Sequence, residues 1–343
     1  MKKSCLFILI LTSLFSFGQE VLEDNLDNKP DEKDLQETNQ DKLKIFDRAP
    51  EPHKGRIIGL TSGLGSAYVG AMVGLHQIWY KDVPKSKFQF FDDAREWQQV
   101  DKAGHIHSSY FQTVWLTRMY QWSGIDQKKA SIYGGLTAFA FMTSIEVFDG
   151  FSEKWGWSWT DVGANAIGVG MAMAQDLTWG EQRIRTKYSF HQVQHADAQL
   201  EARAAQLYGE GKIERLIKDY NALAIWVSVT PTAFMKNPQR AQWLALSVGY
   251  AGGDMYGGFE NAWDDEDGNR IERFDIQQYR RFFFSLDVDF ERIPVRKKGW
   301  KTLMTALNII KVPFPAMEFN TKGEILFHPM FYLNWSQPIV LKK

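Results

Sequence analysis

The sequence predicts an α+β fold: a four-helix core bundle, with membrane association left open, followed by a small antiparallel sheet domain. Three observations lead there. Residues 55–177 hold four long stretches whose apolar spacing and length suit helices and exceed what strands allow. Beyond residue 222 the pattern changes to short runs with two-residue alternation, broken by Gly, Pro and Asn. The 343 residues are 44% hydrophobic and 24% charged, enough to bury a substantial core.

Residues 1–18 read as an export signal, with Lys2 and Lys3 at the start, an apolar run over 6–15, and small residues Ser16 and Gly18 before Gln19. Cys5, the single cysteine, precedes that run. The mature chain is therefore expected to carry no lipid-bearing cysteine, no disulfide and no Cys-ligated metal. Residues 19–53 are rich in Glu, Asp, Asn, Lys and Gln and poor in large apolar side chains. Too little area is available there to offset ordering entropy, so a solvated acidic tether is expected.

A helical domain is expected over 54–180. Residues 57–80 contain no Asp, Glu, Lys or Arg, and Gly59, Gly63, Gly70 and Gly74 recur in a pattern that allows close helix contacts. Further helices are expected at about 101–122, 130–149 and 160–177. The first has the roughly 20 apolar residues that a bilayer span needs. Trp79, Trp97, Trp122, Trp155, Trp157, Trp159 and Trp179 fall at helix ends or in loops, as an interfacial belt or as caps on a soluble core.

Residues 181–221 are expected to form a connecting segment carrying an amphipathic helix over 197–220, and residues 222–343 a β-rich domain. Strands are expected at 222–230, 242–250, 278–292 and 324–335, with a short helix at 303–310. In the third strand Phe282, Phe284, Leu286 and Val288 alternate with Phe283, Ser285, Asp287 and Asp289, a pattern with one face buried. Four strands are too few for a membrane barrel, which needs at least about eight.

Lys and Arg total 40 against 41 Asp and Glu, leaving a formal net charge of -1. With no basic stripe interleaved with stacking aromatics, nucleic acid is excluded as a partner.

Short connections make successive helices antiparallel, so the start of the second, the end of the third and the start of the fourth are expected on one side of the bundle. The ionisable residues concentrate there. Asp101, Lys102 and His105 share a helix face at the first place, Glu146 and Asp149 are spaced i,i+3 at the second, and Asp161 and Asn165 are spaced i,i+4 at the third, with Gly168 further along the stripe. Each has a structural alternative: Asp161 three residues after Ser158 resembles a capping box, Asp149 before Gly150 marks a helix end, and Asp101 suits a helix N-terminus.

Here the chain resembles a family. Asp101-Lys102-Ala103-Gly104-His105, then Glu146 to Asp149, then Gly156-Trp157-Ser158-Trp159-Thr160-Asp161 with Asn165 and Gly168 resembles the YfiM-like predicted periplasmic lipoproteins, and more distantly the VanZ-like membrane proteins. The resemblance covers about 55–180. It implies an envelope setting and names no reaction.

The leading expectation is a non-enzymatic envelope protein that binds a lipid or glycan precursor, or supports a membrane complex. The competing one is a metal-dependent hydrolase or transferase acting on a phosphoester of an envelope lipid. In that case Glu146, Asp149 and Asp161 are the candidate ligands of a hard divalent cation. His105 is then the candidate general base and Lys102 the group that neutralises phosphate, with Asp101 and Asn165 binding the substrate. A divalent cation is the one candidate cofactor. The expected partners are a membrane lipid or envelope glycolipid, or an envelope protein complex. His191 and His195 lack the glutamate of a zincin helix, and 264–269 lacks the carboxylates of a calcium loop, reading as an acidic turn.

Overall fold

The computed structural model describes residues 43–342 apart from 82, 192, 237–240, 266 and 332–337. The expected export signal, Cys5 and residues 19–42 of the expected tether lie outside the described residues. The fold is α+β, as the sequence predicts. It divides into two compact units that differ from the sequential division expected: Met1–Phe90, Gln112–Trp157 and Val169–Gly180 form one, and Phe91–Phe111, Ser158–Gly168 and Glu181–Lys343 the other.

Among the described residues there are four long helices: α1 Lys54–Leu75, α2 Val100–Trp122, α3 Gln127–Asp149 and α4 Trp159–Trp179. The first unit holds α1, α3 and the C-terminal parts of α2 and α4. His53 caps α1 by accepting from the Arg56 amide, and Asp126 caps α3 by accepting from the amides of Lys128 and Lys129. Its core joins Leu116, Tyr120, Ile125, Ala130, Ala138 and Val169. Helix backbones come close at Gly134, where a Cβ would lie 2.6 Å from the Thr117 amide nitrogen. The glycines of α1 do not provide such contacts: Gly59, Gly63, Gly70 and Gly74 face open space. The segments Lys54–Tyr80 and Gln127–Asp149 are each long and apolar enough to cross a membrane by length and composition.

The end of the expected tether is docked. Ala49 is buried, its amide donates to the Trp122 carbonyl, and Arg56 donates to the carbonyls of Asp47 and Trp122. Carbonyls left over at the C-terminus of α2 accept these donors, which makes order favourable in a segment of polar composition.

The second unit carries a seven-stranded antiparallel sheet of β1 Ile184–Phe190, β2 Leu223–Val229, β3 Leu244–Gly253, β6 Tyr279–Val288, β7 Ala316–Asn320, β8 Ile325–His328 and β9 Ile339–Lys342, in that spatial order. A separate hairpin pairs β4 Ala262–Asp264 with β5 Arg270–Glu272 across the acidic turn. The expected connecting segment contains β1 and two helices, α5 Ala198–Tyr208 and α6 Lys212–Lys218. The single helix expected over 197–220 breaks because Gly209 takes φ +86, a backbone conformation no helix continues through. The short helix is α7 Lys298–Leu307.

The face assignment of the sheet also changes. In β6 the inward side chains are Phe283, Ser285 and Asp287, whereas Phe282, Phe284 and Leu286 are exposed. β1 escaped detection for the same reason: Arg185 and Lys187 point inward and are buried. Their charges are met by Asp289 at 3.3 Å and Asp287 at 3.1 Å.

Candidate functional site

The N-terminal turns of α2 and α4 meet within the second unit, running side by side in the same direction. Gly168 allows this. A Cβ there would lie 2.1 Å from Ser109 Oγ and 2.2 Å from the Ile106 carbonyl oxygen, so only a glycine lets the backbones come this close. The contact brings Asp101, Lys102 and His105 of α2 to Asp161 and Asn165 of α4.

Lys102 is the centre. Its Nζ lies 2.6 Å from Asp93 Oδ2, 2.7 Å from Asp161 Oδ1 and 3.0 Å from Asp101 Oδ2. Burial disfavours its charge, but the three carboxylates outweigh burial and hold the ammonium above the usual lysine range. Asp93 comes from the loop before α2 and accepts at 2.6 Å from both Ser158 Oγ and Thr160 Oγ1. Burial works against its charge too, yet hydrogen bonds with Asp161, Lys102, Ser158 and Thr160 hold Asp93 below the usual carboxylate range. Asp161 shifts the other way: burial first, then the neighbouring Asp101 carboxylate, push it up.

His105 completes the group. Its Nδ1 donates to Asn165 Oδ1 at 3.1 Å, which turns Nε2 toward Asp101 Oδ1 at 3.8 Å and Asp161 Oδ1 at 3.7 Å. One ligand atom each from Asp101, His105 and Asp161 lies within 4.8 Å of the others. Asn165 is fully buried, and its Nδ2 makes no hydrogen bond among the described residues. Tyr220 Oη donates at 2.7 Å to Asp101 Oδ1, the oxygen that also faces His105 Nε2, and fixes the carboxylate.

The backbone leading into α2 is strained. Trp97, Gln98 and Gln99 all take positive φ, between 49° and 61°, a conformation that costs non-glycine residues energy. It is held by the Trp97 amide donating to the Gly258 carbonyl at 2.7 Å, by Gln98 donating to Gln278, and by Arg280 donating to Gln99 Oε1 at 2.6 Å. Trp97 also packs on Tyr208 and Tyr220. The turn sets the direction in which Asp101 and Lys102 leave the helix start.

The sequence therefore identified five of the converging side chains: Asp101, Lys102, His105, Asp161 and Asn165. Glu146 and Asp149, expected as metal ligands, are not in the group of residues spaced for a cation. They belong to the first unit, where Asp149 Oδ1 accepts from Tyr80 Oη at 2.6 Å and Glu146 is buried on α3. Helix periodicity gave them a shared face with each other, and that says nothing about which neighbour the face meets. Lys102, expected to neutralise phosphate, has its ammonium already occupied by three carboxylates. Asp93, Ser158, Thr160 and Tyr220 were missed as partners. Ser158 was read as a cap and does accept from the Asp161 amide at 3.0 Å, so its second role toward Asp93 had no separate signal. His191 and His195 are engaged elsewhere, with the Ala222 carbonyl and Tyr256 Oη.

No curated protein and no solved structure gives a significant match to the chain. Residues 89–176, which contain α2, α3, most of α4 and every site residue except Tyr220, match the model of a family described as predicted periplasmic lipoprotein (DUF2279). That similarity agrees with the exported, envelope-associated localisation expected from the sequence.

Proposed function

We propose that this is an envelope protein that holds a divalent cation on Asp101, His105 and Asp161 and uses it to engage the phosphate of an envelope lipid or glycolipid. The carrying observation is the disposition of three ligand atoms from two helices within 4.8 Å, with the imidazole oriented through its other nitrogen by Asn165. Metal-bound histidines are held in this way by a partner on the remote ring nitrogen. Charge supports the same reading. Asp93, Asp101 and Asp161 gather around the single ammonium of Lys102, so carboxylates outnumber cations in a largely buried place where a dication would offset the excess. Two carboxylates and one imidazole suit ions of the zinc and manganese class and leave coordination positions for a ligand.

In this reading such an ion polarises a phosphoryl oxygen when bound. Lys102 and Asp93 act as positioning groups that fix Asp161 and Asp101, and Asn165 fixes the ring of His105. A second reading, hydrolysis or transfer at the phosphoester, is favoured by the orientation of His105 Nε2 into the carboxylate group, an arrangement a general base also needs. Metal content after dialysis and calorimetric titration with Zn²⁺, Mn²⁺ and Mg²⁺ separate the outcomes. One equivalent bound by the wild type and lost in His105→Ala and Asp161→Asn, but kept in Glu146→Gln, supports the centre. No ion bound by a folded wild type rejects it.

A further inference from the structure

The outward face of the sheet is apolar. Along β3 and β6 every second residue is exposed and apolar: Leu246 and Val248 on the first, Phe282, Phe284 and Leu286 on the second. Val248 is 59% and Phe284 51% exposed. Register joins them into rows, with Val227 beside Val248, Val248 beside Phe284, Leu246 beside Leu286, and Phe282 beside Phe319. The inward side mixes an apolar cluster of Trp226, Phe283 and Phe331 with polar and charged residues that satisfy one another. Ser228 donates to Asp287 at 2.7 Å, Lys187 pairs with Asp287 at 3.1 Å, and Glu318 takes Arg281 and His328 at 2.8 Å each. A sheet face bathed in water is ordinarily polar; an apolar outward face over a partly polar interior is the pattern of a lipid-facing sheet.

The rim of this face carries the charge that a membrane surface would meet. Where β2 ends and β3 begins, Phe234, Met235, Lys236 and Trp243 are exposed. Helix α7 belongs to the same end, since Asn308 just beyond it accepts from the Phe290 amide and Asp289 donates its amide to the Trp243 carbonyl. Arg296, Lys297, Lys298 and Lys301 are exposed there beside Trp300 and Leu303. The acids at this end, Glu181 and Glu291, are bound by Arg292 and Arg185. A cationic, tryptophan-bearing amphipathic helix beside an apolar face complements anionic headgroups above acyl chains.

We infer that the outward face of the seven-stranded sheet, with the basic rim of α7, seats on an anionic phospholipid bilayer. The sheet has seven described strands, and in this inference its outward face lies against one leaflet. The inference is independent of the cation centre, because none of its residues belongs to that group.

Flotation of the full chain with vesicles tests it. Wild-type protein is expected to float with vesicles of equal phosphatidylglycerol and phosphatidylcholine, and about tenfold less with phosphatidylcholine alone. Val248→Lys with Phe284→Lys places two charges on side chains that already face outward, so circular dichroism and metal content stay unchanged while flotation is lost. Lys298→Glu with Lys301→Glu removes only the anionic preference and its salt dependence. A wild type that remains in the aqueous fraction overturns the inference. So does a double lysine variant that still floats, or one that changes only from dimer to monomer, which would assign the face to a second copy.

Discussion

Asn165 and His105, sixty residues apart in the sequence, meet side chain to side chain at 3.1 Å, and that single hydrogen bond decides which nitrogen of the imidazole faces the carboxylates. The pairing depends on the close approach of α2 and α4 at Gly168. One backbone position without a Cβ thus controls the chemistry of a ring about one helical turn away.

If Asn165 orients a metal-binding histidine, Asn165→Ala frees the ring and weakens the cation. The expected loss is about 10- to 100-fold in affinity, the usual effect of removing a group that supports a ligand. Titration calorimetry with Zn²⁺ measures it directly. An unchanged affinity in the folded variant would mean that His105 does not serve as a ligand through Nε2.

Replacing Lys102 isolates the electrostatics. Lys102→Met leaves Asp93, Asp101 and Asp161 gathered without their cation, and losing one partner of a buried charge group destabilises by about 3–5 kcal/mol. Denaturant unfolding is expected to show this loss. Added divalent cation should restore part of it by binding the native state. A variant as stable as the wild type, with or without cation, contradicts the charge balance described above.

The helix contact offers a paired test. Gly168→Ala forces a methyl against Ser109 and the Ile106 carbonyl and is expected to cost about 1–3 kcal/mol, as overpacking does. Gly63→Ala on α1 meets nothing within 4 Å and replaces a poor helix former, so it should be neutral or gain up to about 1 kcal/mol. Thermal melts of the two variants should move in different directions. Equal losses would show that helix propensity is not the difference between the sites.

These positions also show what the sequence carries. Helix spacing made Asp101, His105, Asp161, Asn165 and Gly168 legible, because an i,i+4 repeat encodes a face. It does not encode the partner of that face, so Glu146 and Asp149 were drawn into the same group. Asp93 comes from a loop, and Tyr220 lies 119 residues beyond Asp101 and past the end of α6, so helix spacing ties neither to this group. In the sheet, alternation in β6 gave the strand but not its orientation. The reading that apolar means inward fails where Lys187 pairs with Asp287 and Arg281 with Glu318.

Acid sensitivity follows from His107. This histidine is buried on α2, with its Nδ1 against Thr186 Oγ1 at 3.0 Å, and burial pushes its ring down to about 4. An unfolded chain binds the proton near 6.5, so the folded state holds fewer protons between those values. Its contribution is complete above about pH 6.5, declines as the pH falls toward 4, and amounts to about 3 kcal/mol over that window. His107→Gln retains a polar side chain beside Thr186 and has no proton to gain. Unfolding free energies measured from pH 7 to pH 4 should therefore fall less steeply in the variant than in the wild type. Parallel curves would show that His107 takes up its proton without opening the fold.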